Sequence, residues 1–107
     1  MEKYVMFNLA MYLGRSKNVD WKQLILTRSI ILMNFLVSKK MLVEVNPFNA
    51  EGGLKQDLVI YNSDLTKEGY EFFLKVRPSW SKYLERGGDV NNIEWLEKKC
   101  KKEGIKI

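Results

Sequence analysis

The stretch that most constrains how this chain folds is Leu65-Thr66-Lys67-Glu68-Gly69. Thr66 has a hydroxyl able to cap a helix, and Leu65 and Tyr70 take the flanking positions of a hydrophobic staple, so a helix is predicted to open at Lys67. Two short apolar runs precede it. Leu42, Val43 and Val45 in the run 41–45, and Leu58-Val59-Ile60-Tyr61 after it, favour strands through branching and apolarity. Residues 46–57, with Pro47, Gly52 and Gly53, form a loop longer than a tight hairpin turn, with a mobile tip expected. The predicted order is strand, loop, strand, helix, with the two strands paired as a hairpin.

Helical signals flank this unit. Val5, Leu9, Tyr12 and Leu13 have helical spacing within residues 3–13, and Gly14 is a natural stop. Asp20 followed three positions later by Gln23 predicts the start of a second helix. A third runs over about 28–40, either separate from the second or continuous with it. Downstream, Pro78 lacks an amide donor and disfavours helix at Arg77, so a kink or break is expected there. Trp80, Tyr83 and Leu84 resume a helical face up to Gly87-Gly88. Asn91-Asn92-Ile93-Glu94 opens a last helix ending near Gly104.

Composition removes several functions. The chain has 107 residues, enough for one hydrophobic core and too few for two. One Cys and no His leave neither a disulfide framework nor a Cys/His zinc site, and they exclude a Ser-His-Asp or Cys-His arrangement. No Gly-rich phosphate loop follows either strand, so no cofactor, no metal and no catalytic residue is expected. The apolar run 30–33 breaks at Asn34, far short of the roughly 20 residues a membrane span needs. Met1-Glu2-Lys3-Tyr4 does not look like a signal peptide, which leads to the expectation of a cytoplasmic protein.

With its loop as a wing and Leu-Thr-Lys-Glu-Gly opening the next helix, the segment from about Trp21 to Phe73 resembles winged-helix regulators of the MarR or PadR kind. The resemblance implies an α+β, mainly helical fold: a winged helix-turn-helix with a two-stranded wing and appended C-terminal helices. It implies a single domain, with a core over 1–76 and a helical extension over 77–107. Those families usually carry Gly between the recognition helix and the first wing strand. Here Lys39-Lys40-Met41 stands at that place, so a different helix exit is expected. Dimeric members often pair their C-terminal helices across a two-fold axis. Trp80, Tyr83, Trp95 and Leu96 are candidates for such a homodimer or for packing onto their own domain.

The third helix separates two functions. A DNA reader presents Arg, Lys, Asn, Gln, Ser or Thr to base edges. Here the run 28–40 is apolar in nearly all directions, leaving Thr27, Asn34 and Ser38 on one strip and Arg28 with Lys39 on another. A helix of that kind is either central to the core or docks its outer face on a protein partner. Net charge, +5, argues instead for a polyanion. Much of the excess sits in Lys98-Lys99-Cys100-Lys101-Lys102, where Glu94 and Glu97 are expected to pair at i,i+4 with Lys98 and Lys101. Small size, missing catalytic residues and the apolar third helix look like the immunity proteins that block bacterial nuclease toxins, including those of contact-dependent growth inhibition systems. The expected function is therefore non-enzymatic: an antitoxin that neutralises a cognate toxin, the alternative being a DNA-binding transcription regulator. The candidate partner-binding residues are Arg28, Phe35 and Lys39 on the helix and Lys55 and Gln56 on the loop.

Overall fold

The computed structural model describes residues 2–107 as a mainly helical α+β fold with one two-stranded antiparallel sheet. Strand β1 (Val5–Asn8) runs directly into helix α1 (Leu9–Leu13), and helix α2 (Val19–Ser38) follows a short turn. Strand β2 (Val59–Tyr61), a 3-10 turn (Asn62–Asp64) and helix α3 (Lys67–Glu71) come next. A π-helical segment (Phe72–Val76) passes into helix α4 (Arg77–Glu85), and helix α5 (Ile93–Lys102) closes the chain.

The first strand corrects the expected helix over residues 3–13. Only Leu9–Leu13 is helical, capped by the Asn8 side chain and stopped at Gly14. Val5, Phe7 and Asn8 pair with Tyr61, Ile60 and Val59, with an irregularity between Val5 and Phe7. Phe7 and Ile60 point inward and are buried. Asn62 holds the open end: its side-chain oxygen accepts from the Tyr4 amide at 2.8 Å and its amide group donates to the Glu2 carbonyl at 2.9 Å.

Pairing β2 with β1 displaces the expected hairpin. Residues 41–45 form no strand, although β2, paired only with β1, leaves its other edge open. Leu42 makes an isolated bridge to Leu65, and Val43 donates to the Asp64 carbonyl at 2.7 Å. The chain then goes out and back on its own hydrogen bonds. Phe48 bridges Leu54, Lys55 donates to the Pro47 carbonyl, and the Asn49 side chain accepts from the Glu51 and Gly53 amides at 3.1 and 2.9 Å. The tip expected to be mobile is thus tied across Asn49, with Gly52 at φ 84°.

Helices two and three are one continuous helix. Its cap is Asn18, whose side chain accepts from Asp20 and Trp21, so Asp20 lies in the first turn instead of at the cap. The expected difference at the exit is not found: the usual closure is kept without a glycine. Met41 donates to the Leu36 carbonyl at 2.9 Å and Lys40 to that of Val37 at 3.1 Å, with Lys40 at φ 57°. That is the left-handed closure glycine usually performs, carried out here by a lysine. Lys40→Gly relieves about 1–2 kcal/mol of left-handed strain against about 0.5–1 kcal/mol of added unfolded-state entropy. A higher urea midpoint, worth about 0.5–1 kcal/mol, is the expected outcome; a lower one contradicts the strained exit.

Pro78 does not break its helix. The π segment ends immediately before α4, and Arg77 keeps helical dihedrals at φ −56°, ψ −44°. Widening the preceding turn accommodates the proline ring and its missing donor. The same segment is the centre of the core. Phe72, Phe73 and Val76 are buried there among Leu32, Met33 and Leu36 of α2, Trp80 and Leu84 of α4, and Leu96 and Cys100 of α5. Desolvation pushes the Cys100 thiol up to about 11, so this buried thiol stays protonated and unreactive at neutral pH.

Candidate functional site

The long helix sorts its side chains sharply. At about 100° per residue, Ser29, Leu32, Met33, Phe35 and Leu36 fall on the buried side. The opposite arc is exposed: Val19, Asp20, Gln23, Leu24, Thr27, Ile30, Asn34, Val37 and Ser38. Leu24 is 42% exposed, Ile30 39% and Val37 48%. No Lys or Arg lies on this arc.

The arc continues onto the neighbouring loop. Val37 and Lys40 share a shallow cleft of about 410 Å³ with Leu42, Val45, Asn46 and Pro47. Val43 beside it is also exposed. Lys55 and Gln56 are exposed further along the same excursion. The surface combines aliphatic side chains with uncharged hydrogen-bonding groups, edged by lysines and by the carboxylates of Asp20 and Glu44.

The five candidate residues do not form one cluster. Phe35 is the clear correction: it is 2% exposed and stacks on Phe72 with ring centroids 5.4 Å apart, so it belongs to the core and is no contact residue. Lys39 is not free either. Its Nζ lies 2.7 Å from Glu97 Oε2, a bridge from the end of α2 to α5, and this contact holds the Glu97 carboxyl below the usual carboxylate range. Arg28, half-buried, faces a separate cleft. Only Lys55 and Gln56 remain on an open surface. Leu24, Ile30 and Val37 went unselected because the sequence of α2 is apolar on nearly every side; only packing decides which apolar residues are left outside.

The cleft that receives Arg28 measures about 180 Å³ and lies between the α1–α2 turn, α2 and α4. Arg15, Arg77, Tyr12, Trp21 and Trp80 also line it. Arg15 and Arg77 carried no local sequence signal, being far apart in the chain. Arg77 stands over three rings, those of Phe7, Tyr12 and Phe73, at 5.2, 5.3 and 5.6 Å, and Arg15 stands 4.9 Å over Tyr12.

The C-terminal helix carries a third surface. Lys98, Lys99 and Lys102 flank Trp95 in a shallow cleft, and Lys99 pairs with Glu103 at 3.5 Å. The expected i,i+4 pairs of Glu94 with Lys98 and Glu97 with Lys101 are not formed; Glu97 turns to Lys39 instead. Of the residues offered for pairing across a two-fold axis, Trp80 and Leu96 are buried in their own chain, and Tyr83 stacks on Trp95 at 4.7 Å. Packing onto the same domain uses them.

Among the described residues, no group of three His, Cys, Asp or Glu side chains is placed to hold a metal ion. No helix among them is long and apolar enough to cross a membrane. Comparison with protein-family models, curated proteins and solved structures finds no match.

Proposed function

We propose that this chain is a non-enzymatic protein-binding module built on a winged-helix plan. The order β1, α1, turn, α2, out-and-back excursion, β2 and α3, with β2 returning to pair with β1, supports that plan despite the absent hairpin. The observation that carries the functional reading is the outward arc of α2. Its exposed Leu24, Ile30 and Val37, with Gln23, Thr27 and Asn34 between them, suit a protein partner: aliphatic anchors set among neutral hydrogen-bonding groups. Gln23, Thr27 and Asn34 are also residue types that read base edges, but Leu24, Ile30 and Val37 stand among them and the arc itself carries no Lys or Arg for the phosphates. The partner class that best fits a small chain with such a face is a cognate bacterial nuclease toxin, which the module neutralises by covering its active site or substrate-docking surface in the cytoplasm.

The net charge of +5 favours the second reading, a DNA-binding regulator. Its largest run of lysines, Lys98, Lys99, Lys101 and Lys102, lies on α5, however, and none lies on the α2 arc. Only weak, salt-sensitive duplex binding follows from that placement, no tighter than about micromolar at physiological salt. Capture from native cytoplasm with and without nuclease treatment separates the two readings. A protein retained after nuclease treatment is expected. Loss of all capture on nuclease treatment, together with one duplex sequence bound at nanomolar affinity, would establish the regulator.

A further inference from the structure

We propose that the arginine cleft between α2 and α4 is a binding site for a small organic oxyanion, a carboxylate or phosphate carried on a flat, ring-sized body. It lies on the other side of α2 from the Leu24–Ile30–Val37 arc, so the two sites stand or fall separately.

Three arginines, Arg15, Arg28 and Arg77, line one cleft. Glu85 is the one carboxylate in the lining, and no ion pair joins it to any of them; among the described residues the ion pairs are Lys39 with Glu97 and Lys99 with Glu103. Like charges brought together without a counter-charge are unfavourable, so the cleft has an electrostatic demand for an anion. Arg77 and Arg15 lie within cation–π distance of aromatic rings. A ring holds a guanidinium without using its N–H donors, which stay available to a planar or tetrahedral oxyanion.

A second observation points the same way. Trp80, 3% exposed, lines this cleft, and its buried Nε1 is a donor with no acceptor. Buried indole N–H groups ordinarily find a partner. Nε1 is covered as the wall stands, so an anionic oxygen supplies the acceptor with a small movement of the Trp80 ring. The space also suits an aromatic body: a cavity of about 150 Å³ accepts benzene, and this cleft of about 180 Å³ is walled by Phe7, Tyr12 and Trp21.

Intrinsic fluorescence tests the proposal directly, because Trp21 and Trp80 line the cleft while Trp95 is stacked on Tyr83 elsewhere. Benzoate and phenyl phosphate are titrated in separate arms, with benzyl alcohol as the neutral control and a DNA duplex as the polyanion control. Saturable quenching by at least one anion at millimolar concentration is expected, and the better arm distinguishes a carboxylate from a phosphate ligand. Arg15→Gln and Arg28→Gln should each weaken it roughly tenfold or more, with unchanged circular dichroism, while Lys98→Gln leaves it intact. If Arg28→Gln unfolds, Arg15→Gln, which replaces an exposed side chain, decides alone. No saturable response to either anion, an equal response to benzyl alcohol, a response to duplex alone, or equal weakening by Lys98→Gln would each overturn the site. None of these results bears on the α2 arc, whose test is partner capture.

Discussion

Phe35→Ala is expected to lower stability by about 3–5 kcal/mol, the range for removing a buried phenyl ring and leaving a cavity. The ring is 2% exposed, and its neighbour Phe72 sits at the centre of the core, edge-on to Phe73 at 5.9 Å. Truncation therefore empties the junction between α2 and the π segment and cannot be absorbed by solvent. For a chain of this size total stability is on the order of 5–15 kcal/mol, so a large share is lost. The melting temperature should fall by about 15 °C or more. Val37→Ala, two positions along the same helix but on its exposed arc, should change stability by no more than about 0.5 kcal/mol. Urea denaturation of both variants checks the assignment of the two faces. Equal effects would mean that the orientation of α2 is wrong.

The second large effect belongs to Gly69. Thr66 and Gly69 both meet the exit of α2: Thr66 donates its amide to the Met41 carbonyl at 3.0 Å, and its hydroxyl accepts from the Gly69 amide at 3.1 Å. A Cβ at Gly69 would stand 2.6 Å from the Met41 carbonyl oxygen, 3.1 Å from Met41 Cβ and 3.2 Å from Leu65 Cδ2. The nearest atom is backbone, which cannot swing aside. Gly69→Val should cost about 3 kcal/mol through forced separation of α3 from Met41, since valine regains well under 1 kcal/mol of helix propensity over glycine. A melting curve matching wild type would show that the helix does not approach Met41 so closely.

The Leu-Thr-Lys-Glu-Gly stretch was thus legible as a helix start, and its cap at Thr66 stands as the hydroxyl chemistry predicts. Its second meaning was not legible. That Gly69 admits the Met41 carbonyl depends on a contact between residues remote in sequence. The N-terminus misled for a related reason. Val5, Leu9 and Tyr12 fit a helical period, but over so few residues Val5 and Phe7 fit a strand equally well, and the decision came from residues 59–61. The branched residues of 41–45 suggested a strand, but the segment pairs only through the Leu42–Leu65 bridge, a contact remote in sequence. The ends of α1 at Gly14 and of α5 at Asn92 and Gly104 were readable because capping and glycine closure act within a few residues. The functional surfaces were the least readable. Arg15, Arg28 and Arg77 meet only after α2 and α4 pack, and an evenly apolar helix does not announce which of its leucines, isoleucines and valines stay outside.

The outward arc of α2 is the centre of the functional account, and one variant addresses it without touching the core. Ile30→Glu combined with Val37→Glu places two charges on exposed positions, so circular dichroism and melting temperature should stay close to wild type. The affinity of this variant for the protein captured by the wild-type chain, measured by calorimetry, should fall about 100-fold or more, as expected when central anchors worth about 3 kcal/mol are lost. A folded double variant that binds that partner as tightly as wild type would contradict the account.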